Sequence, residues 1–204
     1  MSAAAAIAIE EPEEELLTLE DFAQLDLGEV ADLVDGKVVL MGNNNPDHSE
    51  ILLNMGEPLR AFVREAKLGK AYGGDVTVLV RRGPDTGRGI DLAFVSNERL
   101  AKQPSGVSAL HVAPELAIEI MSPSNEWDGV HKKISEYFEI GVAQVWIVGV
   151  AVRMVTVFTS LTDSKGFLLS KGESLSCPEI LPGFELPLSQ IFEGLPPLEE
   201  DKQV

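Results

Sequence analysis

The sequence predicts a mixed α/β fold in which helices pack on a central β-sheet. Apolar runs typical of strands and amphipathic helical patterns occur in the order helix, hairpin, helix, several strands, helix and further strands. No internal repeat is present in the sequence, which excludes a solenoid. The 204 residues, 45% of them hydrophobic and 24% charged, are enough to bury one core without disulfides. We therefore expect one globular α/β domain.

The N-terminal part predicts a short helix and a hairpin. Thr18 is a typical N-cap, and acidic residues follow it in the first turn of the predicted helix. Two apolar runs flank Asp35-Gly36, a pair that is typical of two-residue hairpin turns. The predicted strands of this hairpin are 30–34 and 37–41.

A long amphipathic helix is predicted after the turn-forming residues 43–46. Asp47 is its predicted cap, and Gly69 follows its predicted end near Lys67. Pro58 lies inside this helix and predicts a kink. The helix carries one stripe of side chains at helical spacing, which we expect to face the core. The members of the stripe are His48, Ile51, Leu52, Met55, Leu59 and Phe62.

Five further apolar runs predict strands, and a second amphipathic helix lies between the third and the fourth of them. This helix covers about 129–140 and ends before Gly141. Residues 160–190 contain many Gly and Pro with weak β patterns, for which we expect a peripheral hairpin and then a short helix near 188–192. The five predicted strands are 76–81, 90–95, 116–120, 145–150 and 152–158.

The net charge of −17 is concentrated toward both ends of the chain. Residues 1–21 hold seven acids and no base, and residues 193–204 hold four acids and one base, which leaves 22 acids and 15 bases, a net of −7, between them. We predict acidic, flexible tails at 1–15 and 194–204, on either side of a single domain at 16–193. This balance argues against a protein that coats nucleic acid by bulk attraction.

The cysteine count and the N-terminal residues bear on the compartment. Cys177 is the only cysteine, which excludes an intramolecular disulfide and a Cys-rich zinc site and fits a reducing environment. The N-terminus lacks the basic segment of a signal peptide. The most apolar stretch, 145–152, is far shorter than the about 20 residues that a spanning helix needs. We therefore expect a cytoplasmic protein without a membrane segment.

Three acidic residues occupy positions in strands where apolar residues are expected: Asp32, Asp91 and Glu119. Burying a carboxylate costs several kcal/mol unless it is paired or binds a metal. Carboxylates that converge at strand ends are the ligands that a hard cation such as Mg²⁺ requires. The alternative is that each acid faces solvent from its strand, an alternative that is hardest to accept for Glu119 because its run is apolar on both faces.

The second helix places a lysine beside its apolar face. At about 100° per residue, Lys133 lies at the edge of the face formed by Val130, Ile134 and Tyr137, whereas Lys132 lies opposite to it. Lys133 is therefore a candidate to reach into a site on the sheet. The alternative is an amphipathic side chain whose ammonium extends to water at the rim.

The remaining candidates are less specific. His48 lies on the apolar stripe of the long helix, where it is either a buried core residue or an accessory group of a site. Arg81, Arg82 and Arg88 surround the loop before Asp91, where they either contact phosphate or belong to a solvated loop. No phosphate-binding loop, dinucleotide fingerprint or nucleophile elbow is present in the sequence.

Five segments together resemble a known family. ADLVDGKVV, PDHSEILLNMGEPL, GIDLAFVS, PELAIEIMSPS and KISEYFEIGVAQVWIV occur in the order and with the spacing of the Uma-type restriction endonucleases, which belong to the PD-(D/E)XK superfamily. The resemblance covers about residues 15–193. It implies a restriction-endonuclease-like core, that is, a mixed central β-sheet flanked by α-helices.

The resemblance also implies roles for individual residues. The family's metal-binding acids correspond to Asp91 and Glu119, and Asp32 stands where the family usually has a glutamate. The superfamily's lysine usually lies two residues after the second acid, where this chain has a methionine, and Lys133 matches the lysine that this family takes from the next helix. His48 matches a histidine that commonly begins the family's long helix.

The chain departs from the family pattern at three places. Ile90 replaces the proline that usually precedes the first acid, which changes backbone rigidity more than chemistry. Asp32 is one methylene shorter than the usual glutamate and is expected to weaken a metal site. Gly149-Val150 stands where the family often has an Asp-Pro turn.

The resemblance implies a metal-dependent endonuclease that hydrolyses DNA phosphodiester bonds with Mg²⁺ or Mn²⁺ and forms a homodimer. The alternative is a non-catalytic or regulatory binding module on a nuclease-like fold, because a fold does not fix a function. A basic groove near Arg81, Arg82, Arg88 and Lys133 would favour the nuclease. An acidic mouth of the cleft would favour the binding module or a small substrate.

Overall fold

The computed structural model describes residues 16–42, 45–122 and 127–197. The predicted N-terminal tail, and the predicted C-terminal tail beyond residue 197, lie outside the described residues, as do parts of the turns around 43–46 and 122–124. In the described residues a large mixed sheet is flanked by helices, which confirms the predicted fold class.

Helices and strands alternate along the chain much as the sequence predicts. The helices of the described residues are α1 Leu19–Phe22, α2 Pro46–Glu65, α3 Asn97–Leu100, α4 Trp127–Glu139 and α5 Leu188–Ile191. The strands of the described residues are β1 Ala31–Val34, β2 Lys37–Leu40, β3 Gly69–Arg81, β4 Thr86–Ser96, β5 Leu116–Met121, β6 Gln144–Gly149, β7 Met154–Ser160, β8 Asp163–Leu168, β9 Ser174–Ser176 and β10 Glu185–Pro187.

One eight-stranded sheet forms the centre of the domain. Seven strands follow the order β2-β1-β4-β5-β6-β7-β8, and β3 pairs with β4 as a branch. Pairing is antiparallel except between β5 and β6, which are parallel because α4 carries the chain across the sheet between them. β9 and β10 form a separate two-stranded sheet.

The two faces of the sheet bury different parts of the chain. Helix α4 covers one face through Val130, Ile134 and Tyr137. Helix α2 covers the other face together with the C-terminal segment 174–192. The second half of 160–190 contains an antiparallel strand pair, β9 and β10, as the prediction of a hairpin requires, but this pair is not peripheral, because its apolar residues are buried against the sheet and α2. The buried residues of this segment include Leu175, Leu181, Phe184 and Leu186.

The ends of helix α2 differ from the prediction. Asn45, not Asp47, is the N-cap, since its Oδ1 accepts the backbone N–H of His48 at 2.8 Å. The helix ends at Glu65, and Gly69 begins strand β3 instead of ending the helix. A Cβ at Gly69 would lie 2.1 Å from the carbonyl oxygen of Val95, so the close approach of two strands requires glycine there.

No helix among the described residues is both long and apolar enough to cross a membrane.

Candidate active site

One edge of strand β4 pairs with two different strands along its length, and the candidate site lies where the first partner ends and the second begins. β1 pairs with the first half of β4, and β5 pairs with the second half. Between them, carboxylates accept backbone N–H groups in place of strand carbonyls. Asp32 Oδ1 accepts from Gly89 N at 2.8 Å, and Asp91 Oδ2 accepts from Ile120 N at 2.7 Å. Both acids are thus held where the strands diverge, and both are buried.

A β-bulge on the opposite side of β4 adds a third aspartate. Gly74 and Asp75 of β3 together oppose the single residue Asp91. Both bulge residues have left-handed φ angles, 81° at Gly74 and 59° at Asp75. The side chain of Asp75 consequently lines the same cavity as Asp91. The sequence analysis missed this residue, although the pair of glycines before it in an otherwise β-forming run is a signal for a bulge.

Helix α4 reaches the same place from one side. As the helical wheel predicts, Lys133 points inward, with 12% of its side chain exposed, whereas Lys132 is exposed. Lys133 Nζ donates to the carbonyl oxygen of Gly89 at 3.1 Å and lies 3.4 Å from Glu119 Oε2 and 3.6 Å from Asp32 Oδ2. Burial favours the neutral amine, but the carboxylates of Glu119, Asp32 and Asp91 raise the pKa of Lys133 above its ordinary value. Lys133 is therefore an ammonium ion at neutral pH.

Tyr137 lies one turn after Lys133 and holds the other oxygen of Glu119. Its hydroxyl donates to Glu119 Oε1 at 2.5 Å. Burial and the charge of Glu119 raise the pKa of Tyr137 well above its ordinary value, so the hydroxyl remains a neutral donor. The sequence analysis placed Tyr137 on the buried face of α4, but it did not identify this hydrogen bond.

His48 begins the inward stripe of α2 and contacts the first strand acid. Its Nε2 lies 3.2 Å from Asp91 Oδ1. Its Nδ1 is buried and has no hydrogen-bond partner among the described residues. Burial lowers the pKa of His48, but the hydrogen bond and the negative charge of Asp91 outweigh burial and raise the pKa. His48 thus orients Asp91, which is the accessory position that the resemblance implies.

Arg88 is the centre of a buried ion network that the sequence analysis did not identify. Its Nη1 lies 3.1 Å from Asp32 Oδ2, and its Nε lies 2.6 Å from Glu136 Oε2. Glu136 follows Lys133 by three residues, so both side chains leave the same side of α4. The spacing alone does not identify Glu136, because the helical wheel places it well away from the apolar face of α4. Both oxygens of Asp32 are therefore engaged, one by Gly89 N–H and one by Arg88 and Lys133.

The arginines do not form the basic groove that would favour a nuclease. Arg81 pairs with Asp35, and Arg82 pairs with Glu20 and with Asp85. Because Arg88 is also paired, the guanidinium groups around this loop are neutralised by carboxylates of the chain itself. These guanidinium groups therefore offer no free positive charge to a phosphate backbone.

All five residues that the sequence analysis proposed as site residues line one cavity of about 490 Å³. These residues are Asp32, His48, Asp91, Glu119 and Lys133. Asp75 and Arg88 line the cavity as well, and the apolar side chains of Val30, Val39, Leu40 and Met41 form part of its wall. The divergence of β1 and β5 along β4, the bulge in β3 and the helices α2 and α4 thus bring these groups together. They are up to 101 positions apart in the sequence, from Asp32 to Lys133.

The charges of the cavity fit a divalent cation of the Mg²⁺ type. Four carboxylates, those of Asp32, Asp75, Asp91 and Glu119, line it against the permanent cations of Arg88 and Lys133. No group of three or more His, Cys, Asp or Glu side chains in the described ranges has a geometry that would enclose a metal. Mg²⁺ is commonly held by one or two carboxylates together with water and substrate phosphates, so this finding argues against a structural metal cage but not against Mg²⁺.

The surplus of negative charge in the cavity contributes to raised pKa values of two acids, Glu119 and Asp75. Burial and the neighbouring Asp91 raise the pKa of Glu119 to about 7, against the effects of Lys133 and Tyr137. Burial and Asp91 also raise the pKa of Asp75 above its ordinary value. Without a bound cation, the folded protein therefore resists full ionisation of the cavity.

Glu119→Gln is expected to stabilise the metal-free protein at alkaline pH. The unfolded chain releases the Glu119 proton near pH 4.5, whereas the folded chain keeps it to about pH 7, so ionisation costs stability as the pH rises through this interval. The variant should gain about 2–3 kcal/mol at pH 8 and little at pH 4.5. Urea unfolding in EDTA across this range measures the gain. The exposed Glu185→Gln is the matched control, and an equal effect of the two would contradict the expectation.

Comparisons with known proteins identify the family and the fold of this chain. The model of the Uma2 family, described as "Putative restriction endonuclease", matches residues 14–189. The crystal structure of "a putative nuclease belonging to DUF820" from Anabaena variabilis ATCC 29413 superimposes with a TM-score of 0.73 at 18% sequence identity, covering 86% of this chain and 97% of that chain. At this identity the likeness shows the fold. A search among curated proteins found no significant match.

Proposed function

Because the chain belongs to the Uma2 family of restriction-endonuclease-like proteins, we propose that it is a metal-dependent endonuclease that hydrolyses DNA phosphodiester bonds. The observation that carries this proposal is the convergence of Asp91, Glu119 and Lys133 in one cavity. Two acids and an ammonium ion on different elements are the parts that phosphodiester hydrolysis requires. Mg²⁺ or Mn²⁺ is the proposed cofactor.

Asp91 and Glu119 are the proposed metal ligands. His48 and Ile120 N–H fix Asp91, and Tyr137 and Lys133 fix Glu119, so both carboxylates are held before any ligand arrives. Such preorganisation avoids an ordering cost during the reaction. Bound Mg²⁺ supplies an acidified water and neutralises charge on the scissile phosphate.

Asp32 serves the same site in a different way. Its two oxygens already accept Gly89 N–H and contact Arg88 and Lys133. These contacts fix the position of Lys133 and make Asp32 a less available ligand than Asp91 and Glu119. The proposed role of Asp32, which was first considered as a third metal ligand, is to position the cation of Lys133.

Lys133 is the proposed electrostatic catalyst. The oxygen of water bonds to the phosphorus atom and its proton passes to solvent, while the bond from phosphorus to the leaving oxygen breaks and that oxygen takes a proton from solvent. Negative charge increases on the phosphate oxygens during this step, and the ammonium ion held beside Glu119 stabilises that charge. Because its pKa is raised, Lys133 does not act as a base that activates the water.

The proposal extends to the organisation of the protein. Residues 16–193 are proposed as the single catalytic domain, with acidic tails at 1–15 and 194–204. A cytoplasmic homodimer is the proposed functional form, since two copies of the site are able to cut the two strands of a duplex.

The experiment that tests the function is cleavage of supercoiled plasmid and of single-stranded DNA with Mg²⁺ or Mn²⁺, with EDTA as the control. Metal-dependent cutting is the expected result. Calorimetry should show binding of the metal by the wild type and at least about tenfold weaker binding by Asp91→Asn. The exposed Asp163→Asn is the matched control for loss of one carboxylate.

The second candidate function is a binding module without catalysis. It is favoured by one observation, the pairing of Arg81, Arg82 and Arg88 with carboxylates, which leaves an acidic cavity. Metal binding without cutting of any nucleic acid would support this module against the nuclease. Absence of metal binding would contradict the proposed ligand pair.

A further inference from the structure

A second groove adjoins the candidate active site. It runs between α2 and β3 and has a volume of about 720 Å³. Asp75 and Asp91 line the active-site cavity, whereas the residues next to them, Gly74 and Leu92, line the groove. The two depressions are therefore adjacent along β3 and β4.

Glycines keep the floor of the groove open. A Cβ at Gly56 of α2 or at Gly73 of β3 would lie 3.1 Å from the same methyl group of Leu92, so the helix and the strand approach closely there. A Cβ at Gly74 would meet no atom within 4 Å. Glycine inside a helix costs about 1 kcal/mol relative to alanine, and Gly56 is thus a position where close packing outweighs helix propensity.

The far end of the groove carries a cluster of four positive charges in this acidic protein. Arg60, Arg64, Lys67 and Lys70 are exposed and border the groove or the depression that continues it. Their side chains form no ion pair or hydrogen bond within the described part of the chain. The lining residues of both depressions include these four cations and one acid, Glu57.

This cluster contrasts with the basic side chains nearest the active site. These side chains, together with Arg99 and Lys102, pair with carboxylates of the chain. The net charge of −17 repels polyanions from most of the surface. A cluster of four unpaired cations on one groove is therefore the part of the described surface that is complementary to phosphates.

We propose that the groove between α2 and β3 binds the phosphodiester backbone of the nucleic-acid substrate on one side of the scissile bond. The inference rests on the proposed function, since the strand enters the groove from the active-site cavity. From His48 to Arg64 the helix rises about 24 Å. That distance is long enough for the groove to contact several consecutive phosphates of one strand.

The proposal is tested by reversing two charges in a background that binds but does not cut. Arg60→Glu/Arg64→Glu is combined with Glu119→Gln, and binding of fluorescent 4- and 12-nucleotide single strands in Mg²⁺ is followed by anisotropy. The 12-mer should bind at least tenfold more weakly to the variant than to the Glu119→Gln parent. The slope of log K against log salt should fall by about 1.4, because two phosphate contacts are lost.

The matched control is Lys165→Glu/Lys171→Glu, which changes the net charge equally near the opposite edge strand, β8. It should leave the binding of the 12-mer within twofold of the parent. Arg60→Lys/Arg64→Lys should retain most of the affinity, because the charge is kept. Circular dichroism and urea unfolding establish that each variant is folded. Binding by the parent should strengthen when the strand is extended on one side of the scissile bond and not when it is extended on the other.

The outcomes separate this inference from the proposed function. Groove-dependent binding with no cutting by the wild type supports the inference and contradicts the nuclease. Cutting whose KM is unchanged by Arg60→Glu/Arg64→Glu supports the nuclease and overturns the inference. Tighter binding or faster cutting by the charge-reversed protein would overturn the inference, because it would identify an acidic segment of the chain itself as the occupant of the groove. Absence of nucleic-acid binding by the Glu119→Gln parent would overturn the inference as well.

Discussion

Lys133→Met is expected to lower the rate constant of the proposed DNA cleavage at saturating metal and substrate by about 10²–10³-fold, the usual effect of removing one preorganised donor from a transition-state site. Methionine keeps the length and apolar stem of the side chain, so the packing of α4 on the sheet is preserved. The loss should appear in kcat, because the ammonium acts most strongly on charge that develops during the reaction. Single-turnover cleavage of a labelled oligonucleotide measures it.

Lys132→Met is the control that the chain provides. It removes the same charge one position earlier, on the exposed side of the helix. The rate of this variant should remain within about twofold of the wild type, since exposed charges are screened. A similar loss in both variants would show that α4 contributes only general charge, and an unchanged rate in Lys133→Met would remove Lys133 from the mechanism.

Lys133 also shows what the sequence contains about this site. The helical wheel predicts that Lys133 faces inward and Lys132 faces solvent, and in the structure Lys133 is largely buried whereas Lys132 is exposed. Asp91 and Glu119 are equally visible, because an acid in an apolar strand requires an explanation. The central parts of the fold follow from the same kind of pattern, since the hairpin at Asp35-Gly36 and the helices beside the sheet depend on local periodicity.

Features that depend on two distant segments were not predictable in this way. The bulge that brings Asp75 beside Asp91 depends on the register between β3 and β4, which neither strand specifies alone. The burial of Glu136 depends on Arg88, 48 positions earlier in the chain. The wheel places Glu136 well away from the apolar face, so only the partner explains why an acid is buried there.

The same reasoning explains why the sequence alone directs attention to arginines that the fold pairs with carboxylates. In the sequence, the nearest arginines to the acids are Arg81, Arg82 and Arg88, and each of them is neutralised by an acid from another segment. Arg60 and Arg64 lie on α2 outside its apolar stripe, where nothing in the sequence distinguishes a free cation from a paired one. Which cations are free is a property of the folded chain, because pairing is decided by tertiary contacts.

Arg88→Met is expected to lower the free energy of unfolding by about 3–5 kcal/mol, because it leaves buried carboxylates without a counter-charge. Arg88 is 7% exposed at its side chain and contacts Asp32 and Glu136, whose side chains are 1% and 5% exposed. For a chain of this size the fall in Tm should be about 6–20 °C. Urea unfolding at pH 7 and low salt measures the change in free energy.

Arg81→Met tests whether burial is the cause. Arg81 forms an ion pair with Asp35, but the side chains are 41% and 49% exposed, and such a pair contributes at most about 1 kcal/mol. Equal losses in the two variants would contradict the buried network. The triple variant Asp32→Asn/Arg88→Met/Glu136→Gln should recover much of the stability, because no carboxylate of this network is then left buried without a counter-charge. Its cleavage rate should stay low, because Asp32 also contacts the ammonium of Lys133. Recovered stability without recovered cleavage would mean that the network acts by positioning that cation and not by stabilising the fold.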